Sequence, residues 1–285
     1  MSLADKIFVN MCKDILENGT TTKGQKVRPK WPDGTPAYTI KNFGVVNRYD
    51  LREEFPALTL RRTGIKSAID EVPWIFQKKS NNIKDLNSTI WDEWANPDGS
   101  IGKAYGYQIG EKYIHHGNVL MDQMDAVLYD LKNTPYSRRI MTNIFHMDEL
   151  HEMNLQPCCW SCTFNVTDEG YDKLVLNMVL NQRSQDILAA NNWNVCQYSA
   201  LLMMVAQVSN MIPGQLLHVI ADAHIYDRHV DTVRKILENP EYPAPTLWIN
   251  PEVTDFFKID NSRECKDIKV LNYKHMGPIK FPIAQ

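Results

Sequence analysis

The segment Gln156-Pro157-Cys158-Cys159-Trp160-Ser161 puts a cysteine directly after a proline, at the mouth of an expected strand. Some twenty residues on, Asn181-Gln182-Arg183-Ser184-Gln185-Asp186 closes another apolar stretch with a polar cluster. A soft nucleophile beside fixed positive charge is what attack on an electron-poor ring requires. A free thiol has a pKa near ~8.5, so only a few per cent is thiolate at neutral pH, and a neighbouring cation raises that fraction. Strict alternation would group positions 158, 160, 162, 164 and 166 on one apolar face, so Cys158 is released only if a bulge or bend follows Pro157.

Cys159 and Cys162 form a C-x-x-C. On a regular strand, residues three apart face opposite ways, which argues against one zinc ion held by both. There is no second C-x-x-C and no His pair at ligand spacing, so no metal is expected. Buried structural thiols are the plainer reading of these cysteines.

Arg138-Arg139 follows Tyr136-Ser137 at a strand start, Arg183 precedes Ser184, and Arg28 lies in a Gly/Pro-rich loop. Arginine grips phosphate bidentately, although any one of them alone fits an ordinary solvated side chain. Asp222, His224 and Tyr226 share one face of an expected strand; they suit either a sugar hydroxyl or a plain surface. Trp91 and Trp94, with Tyr105 downstream, can stack a flat ligand or simply fill core. Glu71, set in an apolar helix face, is either paired with a cation or shifted in pKa toward proton chemistry.

The elements that must carry these groups read as follows. Leu3, Ile7, Phe8, Met11, Ile15 and Leu16 recur at helical spacing up to Gly19. Residues 62–77 predict a buried helix through Ile65, Ala68, Ile69, Val72 and Ile75, with Pro73 kinking it or marking a first turn. Residues 118–132 predict an amphipathic helix, and strands are expected over 139–145, 160–166, 174–181 and 215–226. Residues 193–210 are apolar on nearly every side, which predicts a long central buried helix, with a short helix at 230–237. Long strands mixed irregularly with helices give an α+β class: a mixed β-sheet covered by helices around that central helix, in a single domain over 1–285.

Bulk properties narrow the function. Apolar residues make up 44% and charged residues 23% of 285, ordinary for a globular chain large enough for a full core. A net charge of -3 gives no reason to expect specific nucleic-acid binding. Cysteines at 12, 158, 159, 162, 196 and 265 are few and sit in apolar surroundings, as reduced thiols of a cytoplasmic protein would. No signal peptide is visible, and the richest apolar run, Tyr198 to Val208, is too short to span a membrane.

Together these segments resemble the folate-dependent, flavin-free thymidylate synthases. The likeness runs from about Glu17 to the end in unbroken order: Glu71-Val72-Pro73-Trp74, Ile90-Trp91-Asp92-Glu93-Trp94-Ala95, Ser137-Arg138-Arg139, Gln156-Pro157-Cys158, Gln182-Arg183-Ser184-Gln185-Asp186, Asn194 and Asp222-Ala223-His224-Ile225-Tyr226. The tail Phe281-Pro282-Ile283-Ala284-Gln285 is similar to the family's closing segment.

The resemblance implies methylation of dUMP at C5, with methylenetetrahydrofolate as co-substrate giving both carbon and hydride, and neither metal nor flavin. It implies Cys158 as nucleophile at C6, and Glu71 with Tyr105 as the acid–base apparatus. Arg28, Arg183 and Ser184 would bind phosphate, within a segment whose Gln185 also lies toward the substrate. Arg138 and Arg139 would reach the partner's phosphate in a homodimer formed through the sheet face. Asn194 would read the uracil N3/O4 edge, where a cytosine-specific relative has an aspartate. His224 and Tyr226 would hold the ribose 3′-hydroxyl. Asp186 would also orient the pterin, with Trp91 lining that cavity and Ala284 in the closing tail.

Some positions depart from the family pattern. Cys159 stands where a histidine usually follows the nucleophile, and Thr163 replaces a glutamine. Ala189-Ala190-Asn191-Asn192-Trp193-Asn194 replaces Leu-Gly-x-Pro-Phe-Asn, Arg61 replaces a lysine and Gly64 a histidine. These leave the covalent chemistry in place and bear on the folate side and on water exclusion. Two other functions fit parts of the pattern: a pyrimidine nucleotide hydroxymethylase of the same fold, and a non-catalytic nucleotide-binding homologue.

Overall fold

The computed structural model describes residues 2–260 and 266–284, so Cys265 and the final Gln285 lie outside the described residues. Helix α1 (Leu3–Asn18) starts where Ser2 Oγ accepts from the Asp5 backbone N–H at 3.1 Å, and it ends at Gly19 as expected. Strands β1 (Thr20–Thr21) and β2 (Thr39–Asp50) follow. The alternation that would have announced β2 is broken at Gly44, whose φ is +74°, beside a fully exposed Phe43. The expected helix over 62–77 is α2 (Ile65–Val72) running into a π-helical turn, Pro73–Gln77. Proline thus marks the change of helix type, where its missing N–H removes a helical donor.

Helix α3 (Gly106–Gly110) leads to a hairpin of β3 (Tyr113–His115) and β4 (Val119–Met121). That hairpin takes the start of the helix expected at 118. Helix α4 (Gln123–Asn133) begins five residues later, because Asp122 caps it by accepting from Met124 and Asp125 N–H at 3.1 and 3.0 Å. The strand expected over 139–145 shrinks to β5 (Met141–Asn143), followed by β6 (Cys159–Thr167), β7 (Val175–Gln182) and β8 (Gln185–Asp186). Helix α5 (Asn191–Val208) is the central buried helix, and β9 (Ile212–Tyr226) the longest strand. Helix α6 (Val230–Ile236) precedes a hairpin, β10 (Thr246–Ile249) with β11 (Ile268–Leu271), for which the sequence carried no strong signal.

The main sheet runs β1-β2-β9-β7-β6-β5, with β8 added beside β9; β7 and β8 lie parallel to β9 and the other pairs are antiparallel. With α2 packed against α5, helices α1 and α5 cover one face. Across it a single row, Asn47–His218–Leu180–Cys162–Thr142, is buried throughout. The opposite row, Arg48–Leu217–Val179–Thr163–Met141, is exposed or half-buried, with Met141 45% exposed. One side of the sheet is therefore a core and the other an uncovered, partly apolar surface.

Strand β6 is bulged. Cys159 pairs with Gln182 and Ser161 with Asn181, leaving Trp160 without a partner. The extra residue reverses the phase, as a bulge does. Cys159 and Cys162 now both lie on the core face, correcting the opposite-face geometry expected from regular alternation. The same bulge frees Cys158 from that face, supplying the irregularity that its exposure demanded.

Candidate active site

Cys158 sits in the loop before β6, half-buried, where the ends of β6 and β7 meet. Its carbonyl accepts from the Arg183 backbone N–H at 3.0 Å. The Arg183 guanidinium reaches back to the same loop, donating to the Pro157 and Gln156 carbonyls at 3.0 and 2.9 Å. Burial pushes the Cys158 thiol up, while the charges of Arg183 and Arg28 pull it down. The net direction is upward, so the unliganded protein holds a protonated thiol with two cations arranged to favour its loss. Arg28 is exposed on the loop between β1 and β2, and its charge acts on both Cys158 and Tyr226. Cys159 and Cys162 are pushed up more simply by burial, as inert structural thiols.

Glu71, in the last turn of α2, is almost fully enclosed. Trp91 donates its indole N–H to Oε1, and Trp193 donates to Oε2 at 2.7 Å. Burial pushes the carboxyl up to about 7, against the two indole hydrogen bonds, with a smaller upward push from Asp70; no cation contributes. Of the two readings for this residue, the structure supports the shifted acid. Tyr105 packs edge-on to Trp91 at 4.9 Å between ring centroids. It holds φ +49°, ψ −103°, a strained conformation for a non-glycine residue. Its hydroxyl is pushed up by burial first, then by the charge that Cys158, Cys159 and Glu71 carry when ionised, with Arg183 opposing. Thiol, carboxyl and phenol therefore share one electrostatic neighbourhood. The tryptophan cluster is core, with Trp91 also against Trp74 and Trp94, yet it presents its N–H to the acid.

Asn194 lies in the first turn of α5. Its Oδ1 accepts from the Gln182 and Gln185 side-chain amides, each at 3.3 Å, and its Nδ2 donates to Gln197 Oε1 at 3.3 Å. Gln182 is fixed in turn by donating to the Ser184 carbonyl at 3.0 Å and by a contact from a buried imidazole: His218 Nε2 lies 2.7 Å from Gln182 Oε1. Burial pushes His218 down to about 3, so it is neutral and donates. Sequence reading passed over Gln182 and His218 as site residues. The available signal was a histidine at the inward phase of β9, between Leu216 and Ile220.

Asp222, His224 and Tyr226 do share a face. His224 Nδ1 contacts Asp222 Oδ1 at 2.8 Å, Lys41 holds the other Asp222 oxygen at 2.6 Å, and Tyr226 stacks edge-on to His224 at 5.1 Å. Asp186 Oδ1 accepts from the Leu188 and Ala189 N–H groups at 3.0 Å each, which turns the chain into α5. The described tail is stitched down by a residue not anticipated: fully buried His229 contacts the Pro282 carbonyl at 2.8 Å and Phe281 edge-on, with Asp186 at 3.8 Å. Ala284 lies beyond that clasp, half-buried.

Other anticipated groups stand apart. Arg138 and Arg139 are exposed ahead of β5, and neither is among the charges acting on Cys158. Arg61 is buried, and its guanidinium donates to the Leu188 and Arg62 carbonyls. The adjacent pair His115-His116, not read as a ligand pair, converges on buried Asp130 at 3.3 and 2.8 Å.

The sequence model of the family described as thymidylate synthase matches residues 6–285. Thymidylate synthase 1 of Bacillus subtilis strain 168 is 41% identical over 290 residues, covering all of both chains. The thymidylate synthase of Bacillus phage phi3T is 38% identical over 288 residues, again covering all of both. Among solved structures, thermostable thymidylate synthase A from Bacillus subtilis matches with a TM-score of 0.90 at 39% identity, over 99% of each chain.

Proposed function

This chain belongs to the thymidylate synthase family and converts dUMP to dTMP, and we propose that it does so through a covalent bond between Cys158 Sγ and uracil C6. The observation that carries this assignment is geometric: the Arg183 side chain is tied to the loop that presents Cys158, and Tyr105 and Glu71 both lie against Trp91.

The chemistry follows from the ring. C5 of uracil is a poor nucleophile. Loss of the thiol proton, favoured by Arg28 and Arg183, lets sulfur add to C6, and the displaced electron pair moves to C5 and O4 as an enolate. C5 then attacks the methylene of methylenetetrahydrofolate. The C5 proton leaves toward the Glu71–Tyr105 group, whose carboxyl near pH 7 can both accept and return a proton. Expulsion of the folate leaves an exocyclic methylene. Hydride from the folate completes the methyl group, sulfur departs, and dihydrofolate is the second product.

In this reading Arg28, Arg183 and Ser184 bind the phosphate, and Gln185 with Asn194 reads the uracil edge. His224 and Tyr226 hold the ribose 3′-hydroxyl, while Asp186 and Trp91 face the pterin under a tail containing Ala284. The uncovered row Arg48–Leu217–Val179–Thr163–Met141 supports a homodimer through the sheet face. Arg138 and Arg139, exposed and not among the charges acting on their own thiol, suit a role in the partner's site. The described cysteines are free thiols, in keeping with a reducing cytoplasm, and no described helix is long and apolar enough to cross a membrane.

The test is to mix the protein with dUMP and methylenetetrahydrofolate, follow the absorbance rise of dihydrofolate, and weigh the nucleotide. A mass gain of one methylene unit with dihydrofolate is expected. A hydroxymethyl nucleotide with tetrahydrofolate returned would establish the hydroxymethylase instead.

A further inference from the structure

Two of this chain's departures from the family pattern, Gly64 and Trp193, lie against each other, and Trp193 touches the acid. Gly64 caps the start of α2 with φ −74°, a value open to any residue, so backbone conformation does not require glycine there. Space does. A Cβ at position 64 would lie 3.0 Å from Trp193 Cζ3, with two further ring atoms at 3.7 and 3.8 Å. Any side chain there, including the family's usual histidine, starts from a Cβ that makes the indole give by a few tenths of an ångström. The neighbouring residues are locked together as well: Thr63 Oγ1 donates to Asn192 Oδ1 at 2.6 Å, fixing the start of α2 against the start of α5. From that register the Trp193 N–H reaches Glu71 Oε2 at 2.7 Å.

We propose that Trp193 is a positioning residue for Glu71, holding one carboxylate oxygen while Trp91 holds the other, and that Gly64 is what gives the indole room to do so. A phenylalanine at 193 has no N–H to offer. Oε2 would then depend on a mobile donor such as water, and the carboxyl plane would be free to turn. Two fixed neutral donors stabilise the anion without neutralising it, opposing the burial that favours the protonated form. The pair of departures thus acts as one unit: a small residue at 64 admits a large donor at 193. The inference deepens the acid–base role proposed above and rests on it for its catalytic meaning.

Infrared titration of the ligand-free protein tests it without turnover. The carboxyl band of Glu71 is assigned by its loss in Glu71→Gln. Trp193→Phe should raise the titration midpoint of that band by about one pH unit, the scale of one lost hydrogen bond to a charged group. Gly64→Ala should move it the same way by less. The double variant should sit no higher than Trp193→Phe alone, since Gly64→Ala acts only through the indole N–H. A midpoint unchanged in Trp193→Phe overturns the proposal, and an additive double variant overturns the part given to Gly64. If Trp193→Phe does not fold, Gly64→Ala carries the same reading. The pH profile of kcat then separates the two claims: a shifted band with an unshifted profile retains the positioning and removes Glu71 from the proton step.

Discussion

Arg183 donates from Nε to the Pro157 carbonyl at 3.0 Å, tying the end of β7 to the loop that presents Cys158. The same side chain lowers the thiol against the upward push of burial. One arginine therefore both places the Cys158 thiol and favours its ionisation.

Removing that charge should slow the thiol. In Arg183→Ala, alkylation of Cys158 by iodoacetamide at pH 7.5 should fall by roughly threefold to tenfold. The deficit should close at high pH, where the thiol ionises without help. An alkylation rate equal to wild type at pH 7.5 would remove Arg183 from this role.

Cys158→Ser should abolish turnover and covalent trapping of a 5-fluorinated dUMP while leaving the fold unchanged by circular dichroism. Cys159 and Cys162 cannot substitute, because burial holds both as neutral thiols on the core face. Residual turnover in the serine variant would show that another thiol attacks.

Glu71 links stability to pH. Its carboxyl sits at about 7 in the folded chain against an ordinary 4.5, so the folded state binds the proton more tightly. The stability it contributes is full below about 4.5 and is lost as pH rises through about 7, a change on the order of 3 kcal/mol. Glu71→Gln carries a fixed penalty, since one indole N–H then faces an amide N–H, but it lacks this slope. Urea unfolding from pH 5 to 8 should show the variant gaining on wild type as pH rises. Parallel curves would mean that Glu71 does not titrate in this range.

Asn194→Asp should exchange the base preference. A carboxylate still accepts from Gln182 and Gln185, while the Gln197 amide must turn its NH2 toward the oxygen that replaces Nδ2. It offers no donor to uracil O4 but accepts from the cytosine amino group. The kcat/KM for dUMP should fall about 100-fold or more, with C5 hydrogen exchange appearing on dCMP. Unchanged selectivity would show that Asn194 does not read the base.

A site shared between two chains predicts complementation. An Arg138→Ala/Arg139→Ala variant and Cys158→Ser should each be inactive. After co-refolding in equal amounts, half the dimers are mixed and each mixed dimer holds one intact site, giving about a quarter of wild-type activity. No recovery would mean that those arginines do not act across the dimer.

Much of the candidate site was readable in advance because its groups occur in short segments. Cys158, Glu71, Tyr105 and Asn194 occur where their motifs place them, and the strand carrying Asp222, His224 and Tyr226 does bring them to one face. The elements also followed their periodicity where it was clean, as in α1 and α5. Reading failed where one local feature interrupted a pattern. Gly44 hid β2, Asp122 moved the start of α4, and the bulge at Trp160 put Cys159 and Cys162 on a common face.

The order of residues alone determined the α+β class and, through the resemblance it carries, the reaction class, because side-chain periodicity and short motifs are properties of near neighbours along a chain. It did not determine that Trp193 grips Glu71 across 122 positions, that His218 orients Gln182, or that His229 ties down the tail. Those contacts exist only once α2, α5, β7 and β9 are packed. Burial then sets both which partner a polar group must find and how strongly its charge is disfavoured, and burial is a property of the folded whole.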